Sequence, residues 1–439
     1  PIVLILALSD ALHMLSGYVK NKESIPKDEK LKSTINHYLI PSFFSSLTTA
    51  AAFLSFYFFN DSSFIQEFGL ITSLALMIEF AIAFLMAPFL LDKLHIQKIH
   101  DQPFINFASF LTDWKNPISV FLVITLLISP LIISKLEFKS SNELFFPVNS
   151  QIEEVHNELC QNYSSNLRLD VLIKGAATTT KNDLYSYTKI LSERFRNENT
   201  VVHVNSATNN FTVLSNTGFP VNLFKILGAN NPYYNQKEKV YRVELEFPRA
   251  DDIVAFQQTR LDKILRETPP GISTTYSSLA ILTNEVNKSV SSSLIKSLST
   301  SGIVIFIIML FFTRSIKMAF FSLIPNLAPI SFILLLFYLF HIPINIVSAI
   351  AVVISLGLLD DDTIHILYRK LWLKQPLEEL QFSILSSAII LVVGFGFFLT
   401  SSFTPIQVLG WVSAVIFIIG VISEFTLMQL VLNQTKDDV

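Results

Sequence analysis

Three consecutive carboxylates, Asp360, Asp361 and Asp362, stand with His365 inside an apolar run from about Ile344 to Leu371. That run exceeds the roughly 20 residues a helix needs to cross the hydrocarbon of a bilayer. An isolated acid at that depth costs on the order of 3 kcal/mol, so acids persist there mainly where they carry ions or protons. At about 1.5 Å per residue, Asp361 lies roughly 12 Å before Arg369 and Lys370, which mark the aqueous boundary. Adjacent like charges in a low dielectric cannot both ionise freely. A carboxyl that can gain and lose a proton is what proton-coupled transport requires. His365 follows Asp361 by four residues, on the same helix face, and imidazole titrates in a useful range. Asp361 and Asp362 are the strongest candidates, against the plainer reading of an acid cluster that only fixes helix packing. Asp360 points roughly 100° away from Asp361 and is the weaker candidate.

The first residues of the chain repeat this pattern. Ser9-Asp10-Ala-Leu-His13 has the acid–histidine spacing of Asp361-Asp362-Thr-Ile-His365. Asp10 and His13 are thus the pseudo-symmetric partners of the second cluster. Asp361, Asp362, His365, Asp10 and His13 could ligate a metal by residue type, but nothing else in the sequence asks for one. Glu79 and Glu424 also lie inside apolar spans without aligning in the repeat, which suits pairing with a neighbouring helix or snorkelling. Asp251-Asp252 reads as a helix N-cap. Cys160, the single cysteine, excludes an intramolecular disulfide and reads as a small half-buried residue. Nucleotide-binding loops, catalytic triads and zinc motifs do not occur.

The elements that must hold these residues are membrane helices. Hydrophobic residues make up 51% of the chain, Phe alone fills 39 positions, and mean hydropathy is +0.49, which excludes an ordinary soluble globular class. A net charge of −3 argues against nucleic acid as a partner. Nine spans are predicted, at about 1–18, 37–59, 64–91, 117–134, 298–313, 317–340, 344–368, 380–400 and 405–432. Residues 92–116 carry Phe104, Phe107, Phe110 and Leu111 at helical spacing, a pattern for an interfacial helix with Trp114 near the headgroups. Lys20, Lys22, Lys27, Lys30 and Lys32, then Lys93, Lys98 and Lys115, then Arg314 and Lys317, then Arg369, Lys370 and Lys374 fall in alternate loops. Those loops are predicted to be cytoplasmic, and the opposite short loops at 60–63, 341–343 and 401–404 lack Lys and Arg.

Residues 135–297 are therefore extracytoplasmic, polar and rich in Asn and Ser. Leu169–Ile173 and Val240–Phe247 alternate as strands, with shorter strands at 201–204 and 272–276. Helices are predicted at about 181–197 and 251–267, and two βαβ units in series point to a ferredoxin-like split βαβ domain. A last helix from about Leu279 continues into the span at 298. The fold class is thus a polytopic α-helical membrane protein with an α+β extracytoplasmic domain.

The repeat extends beyond the acid–histidine pair. Phe64-Ile-Gln66-Glu-Phe-Gly69 lines up with Pro405-Ile-Gln407-Val-Leu-Gly410. The second copy is preceded by two more spans and an outer domain, the first by nothing, and its acidic helix is about ten residues shorter. The chain reads as an N-terminally truncated piece of a two-fold repeated transporter with an incomplete first repeat.

These residues together resemble the resistance–nodulation–division (RND) superfamily, in the branch of hopanoid and mycobacterial lipid exporters and, more distantly, Patched. Ile324-Pro325-Asn326-Leu-Ala-Pro329, with Ile342-Pro343-Ile-Asn345, is similar to the family's ninth span and the turn into its tenth. Gly357-x-x-x-Asp361-Asp362-x-Ile364-His365 is similar to its tenth-span acidic motif, and Ser46-Leu47-Thr48-Thr49-Ala50 to its fifth-span threonine signature. The resemblance implies spans four to six in 1–91, an interfacial helix and linker in 92–116 and span seven in 117–134. It further implies a periplasmic porter domain in 135–297, spans eight to twelve in 298–432 and a cytoplasmic tail in 433–439. The chain departs from the pattern at Ser9, which stands where the second copy has Asp361, and at Ile389 and Ile390, which replace the threonines. The outer domain also has no room for docking hairpins of tripartite pumps.

The implied function is proton-motive export of a lipid or other hydrophobic molecule from a bacterial inner membrane. A relay would run through Asp361, Asp362, Asp10, His365 and His13, with a proton gradient and no cofactor. Membrane lipids, a periplasmic carrier or adaptor and a second copy of the chain are the partners such an exporter would use. The alternative is a non-transporting sterol-sensor-like or secretion-accessory module, which the incomplete first acidic motif favours.

Overall fold

The computed structural model describes residues 2–20, 26–60, 63–93, 102–137, 167–176, 178–208, 232–235 and 237–434. Cys160, Lys22, Lys98 and the end of the expected tail, 435–439, lie outside the described residues. The chain divides into two compact units, Pro1–Ser140 with Asn287–Val439, and Ser141–Val286.

The first unit is helical. Its N-terminal part holds α1 (Ile2–Lys20), α2 (Lys27–Phe59), α3 (Ser63–Lys93), α4 (Gln102–Asp113) and α5 (Lys115–Ile133). Among the described residues eight helices are long and apolar enough to cross a membrane. The ninth expected span, Ile346–Leu367, is as long as the others but carries Asp360, Asp361 and Asp362, and its three charges set it apart from them. Pro41 and Pro88 sit inside α2 and α3, where neighbouring helices can satisfy the carbonyls a proline frees.

Repeated segments make repeated contacts. Gln66 Nε2 donates to the Asn60 carbonyl at 2.6 Å, and Gln407 Nε2 donates to the Ser401 carbonyl at 2.6 Å. A Cβ on Gly69 would lie 2.5 Å from the Phe53 carbonyl and 2.9 Å from Phe56 Cβ. On Gly410 it would lie 2.7 Å from the Phe395 carbonyl and 2.8 Å from Phe398 Cβ. Both glycines let a helix touch its neighbour's backbone, and overpacking of such a contact costs about 1–3 kcal/mol. Gly69→Ala and Gly410→Ala are therefore expected to lower the thermal unfolding midpoint in detergent. Gly302→Ala, whose Cβ meets nothing within 4 Å, should leave it unchanged. Equal midpoints in all three would refute the close approach.

The second unit is built on a sheet whose strand order is β2-β4-β1-β5. The strands are β1 (Leu167–Gly175), β2 (His203–Ser206), β4 (Val240–Phe247) and β5 (Ile272–Ser277), and a two-residue β3 (Tyr234–Asn235) pairs with β4. All pairings are antiparallel. Tyr241, Val243, Leu245 and Phe247 are buried on β4, the period-two alternation that sets its register. They pack with Leu184, Leu191 and Phe195 of α6 (Lys181–Arg196) and with Ile253 and Phe256 of α7 (Ala250–Phe256).

Glu244 is buried on the same strand and is held by Arg242 at 2.7 Å and Arg168 at 3.5 Å. Arg242 also grips Asp170 through Nε at 2.8 Å and through a second nitrogen at 3.1 Å. The expected capping role of Asp251 and Asp252 is corrected here. The N-cap of α7 is Arg249, without a side-chain cap bond, and both aspartates occupy the first turn, where the helix dipole favours acids. After α7 the helix runs through a π turn, Gln257–Leu261, into α8 (Asp262–Arg266).

From Leu279 the expected continuous helix is present as α9 (Leu279–Thr313), 35 residues without a break. The first unit then adds α10 (Ile316–Ser322), α11 (Ile324–Leu339), α12 (Ile346–Leu367), α13 (Glu378–Gly396) and α14 (Thr404–Ser423). A π turn, Glu424–Met428, joins α14 to α15 (Gln429–Gln434).

Candidate functional site

Helix α12 begins at a capping box. Asn345 Oδ1 accepts from the amides of Val347 at 2.9 Å and Ser348 at 2.8 Å, and Ser348 Oγ accepts from the Asn345 amide at 2.9 Å. The cap fixes where the helix starts and so which way its acids face. Asp361, Asp362 and His365 point to one side, Asp360 and Thr363 to another. Ala349, Ala351, Val352, Val353 and Ile354 are buried around the helix. It is wrapped by protein on all sides, which is how a membrane helix with three acids can be accommodated.

On the first side α12 meets α1 and α13. His13 of α1 is fully buried and its Nε2 stands 3.4 Å from Asp362 Oδ1 and 4.0 Å from Asp361 Oδ2. His365 Nε2 stands 3.4 Å from Asp361 Oδ1. The imidazoles of His13 and His365 stack with centroids 4.6 Å apart and planes 4° from parallel. His13 Nδ1 shares a 2.6 Å hydrogen bond with Ser383 Oγ of α13, and Ser387 Oγ donates to Asp362 Oδ1 at 3.4 Å. The histidine–aspartate contacts have ion-pair distance without hydrogen-bond alignment, since His13 Nε2, His365 Nε2 and Asp361 Oδ1 have no hydrogen-bond partner among the described residues. The side chains of Asp361 and Asp362 are 16% and 15% exposed.

Asp10 lies on α1 one turn before His13 and is buried, and Asp361 and Glu79 of α3 act on it by charge. Asp361, Asp362, Asp10, His365 and His13 thus come together from the two ends of the chain. Ser9, at the position of Asp361 in the repeat, is buried and its hydroxyl has no partner among the described residues.

Helix α2 closes the site from the threonine segment. Thr49 Oγ1 donates to the Gly357 carbonyl at 2.6 Å, and a Cβ on Gly357 would stand 2.7 Å from Ala52 Cβ. Thr48 lies beside Asp360, but its hydroxyl donates to the Ser45 carbonyl at 2.7 Å. The counterparts in α13, Ile389 and Ile390, are apolar, and Ile389 is exposed, so this lock exists in one half of the repeat only.

On its other side α12 carries a second polar group. Thr363 Oγ1 donates to Glu424 Oε1 at the start of the π turn after α14 and lies 3.1 Å from the side-chain amide of Asn326 of α11, which can donate to it. Glu424 therefore does not snorkel; it is buried and pairs with a neighbouring helix, the first of the two roles expected for it. Ser383, Ser387, Thr363 and Asn326 were not legible as site residues. The only signal was the density of Ser383, Ser386 and Ser387 in an otherwise apolar span, and the Pro325-Asn326 pair. Among the described residues no group of three or more His, Cys, Asp or Glu is disposed to hold a metal ion.

No family model matches the chain, and no curated protein matches its sequence. The solved structure of the hedgehog release protein Disp from the water bear Hypsibius dujardini is similar over 98% of this chain, with a TM-score of 0.63 at 14% identity. At that identity the likeness shows a shared fold. The chain spans 62% of the length of the Disp structure. What the two share is the fold, and hedgehog release is a property of Disp. With eight apolar helices and this neighbour, the chain is a multi-pass membrane protein.

Proposed function

We propose that this chain carries the proton-coupling centre of an RND-type exporter that moves a lipid or other hydrophobic molecule, a secondary transporter rather than an enzyme. One observation carries the reading: His13, from the start of the chain, stands 3.4 Å from Asp362 in a buried cluster that also holds Asp361, Asp10 and His365. Burying ionised carboxylates costs several kcal/mol each unless they are paired. A proton arriving at Asp361 or Asp362 relieves that cost and changes the contact with α1, and α12 can then shift against α1 and α13. The energy source is the proton gradient, with no cofactor.

The finer assignments follow from the same reading. The strand order β2-β4-β1-β5, with β1 and β2 each antiparallel to β4, supports a ferredoxin-like porter domain in 135–297. The arrangement of Lys and Arg supports placing that domain outside the cytoplasm, and the family resemblance implies a bacterial inner membrane with the domain in the periplasm. A hydrophobic substrate, membrane lipids, a periplasmic carrier or adaptor, and a second copy of the chain are fitting partners. A cysteine tag at Asn60 or Ser402 should label from outside, and one at Lys27 only after permeabilisation; the reverse pattern would reject this topology.

The protein reconstituted in vesicles, with a trapped pH dye and a fluorescent lipid, tests the function. Gradient-driven lipid transfer accompanied by proton flux is expected. A second reading, a non-transporting lipid- or partner-binding module, is favoured by Ser9 in place of an acid. Lipid binding without any proton flux would decide for it.

A further inference from the structure

The polar side of α12 that faces away from the His13 cluster holds two acids with unusual surroundings. Asp360 is 0% exposed and neither of its oxygens has a hydrogen-bond partner among the described residues. Glu424 is 4% exposed; Oε1 accepts from Thr363, and Oε2 has no partner among the described residues. Asn326, 1% exposed, lies 3.1 Å from Thr363 Oγ1 through its side-chain amide, which donates where the threonine's one hydrogen goes to Glu424. Asp360 and Thr363 are three residues apart on one helix face, and Glu424 exerts its charge on Asp360.

We propose that Asp360 and Glu424 form a second proton-binding site, separate from the Asp361–Asp362 cluster. Among the described residues the charged groups that act on the pair are acids: Asp361 on Asp360, and Asp362 on Glu424. The other neighbours, Thr48 of α2, Thr363 and Asn326, are neutral. Among the described residues no Lys, Arg or His pairs with either carboxyl, so a doubly ionised pair is heavily penalised in so buried a place. A bound proton turns one acceptor-only carboxylate into a donor, which relieves one of the three carboxyl oxygens that lack partners among the described residues.

Glu424 opens a π turn, a distortion that recurs at functional sites and re-aims the side chains it carries. Loss of the proton would push α12 and the end of α14 apart through like charge. The site thus couples a second set of helices, α11 and α14, to the same central helix. The inference does not depend on Asp361 and Asp362 being the carriers of the exporter.

The test is pH-difference infrared spectroscopy of the chain in vesicles, on the Asp10→Asn/Asp361→Asn/Asp362→Asn background, which removes the carboxyls of the first cluster. A carbonyl band of a protonated carboxylic acid is expected to persist there and to be lost when Glu424→Gln or Asp360→Asn is added. If those variants do not fold, Thr363→Val keeps both acids and removes the donor to Glu424, and it should shift the band. A band unchanged by all three substitutions would overturn the proposal. So would one that follows sodium concentration instead of pH. Failure of the exporter reading would show up differently, as absent proton flux with this band intact.

Discussion

Asp361→Asn and Asp362→Asn should each abolish gradient-driven export while the protein stays folded and inserted. The amide keeps the size of the carboxylate and can still accept from Ser387 Oγ, which stands 3.4 Å from Asp362 Oδ1. It cannot cycle a proton. Removing a charge from the membrane should ease insertion rather than hinder it. Asparagine is close in volume to aspartate, so the packing around the 16% and 15% exposed side chains is kept. The measurement is efflux from vesicles under an imposed pH gradient, with protein level followed in parallel. Full gradient-dependent efflux in the double variant would rule these residues out as carriers, and activity lost together with protein would mark a packing role. Asp10→Asn should reproduce the Asp362→Asn loss, since Asp10 shares the buried field of Asp361. A silent Asp10→Asn would place the proton site on α12 alone.

How much of this could be read from the chain depended on whether position along the sequence implies position in space. Asp361, Asp362 and His365 announce themselves because an acid in an apolar span needs a reason. Asp10 and His13 follow because the spacing repeats. The strand Val240–Phe247 was legible from strict alternation, a pattern a half-buried strand must show. Glu424 and Asn326 were not legible as partners of Thr363. A span that is apolar all round has no phase from which to read which face meets which helix. The same uniformity hid Ser383, which touches His13 across 370 positions of chain. The π turns at Glu424 and Gln257 leave no mark in hydrophobic periodicity and were also missed. Asp251 and Asp252 show the opposite error, since acids that favour a helix start were assigned the cap itself when they belong to the first turn.

The second large effect is expected at His13. Its two nitrogens reach two different helices: Nδ1 bonds Ser383 of α13, and Nε2 faces Asp362 and Asp361 of α12. Its ring also stacks on His365, and a ring so fully buried contributes to packing as well as to proton traffic. His13→Phe separates these roles. Phenylalanine keeps a flat ring against His365 and keeps the core filled, but it offers no nitrogen to Ser383 or to the aspartates. Thermal stability should stay near that of the parent, because the change exchanges a buried polar ring for an apolar one of similar shape. Gradient-driven export should fall at least about tenfold, which corresponds to about 1.4 kcal/mol of lost coupling. Ser383→Ala is the finer probe. It leaves the imidazole in place without the bond that orients it, so export should fall less and the pH dependence of the rate should move, which a purely structural serine would not cause. Both variants are read as initial export rate against internal pH. A His13→Phe chain that exports at the parent rate across that range would show that the proton passes between Asp361, Asp362 and water without the imidazole of α1.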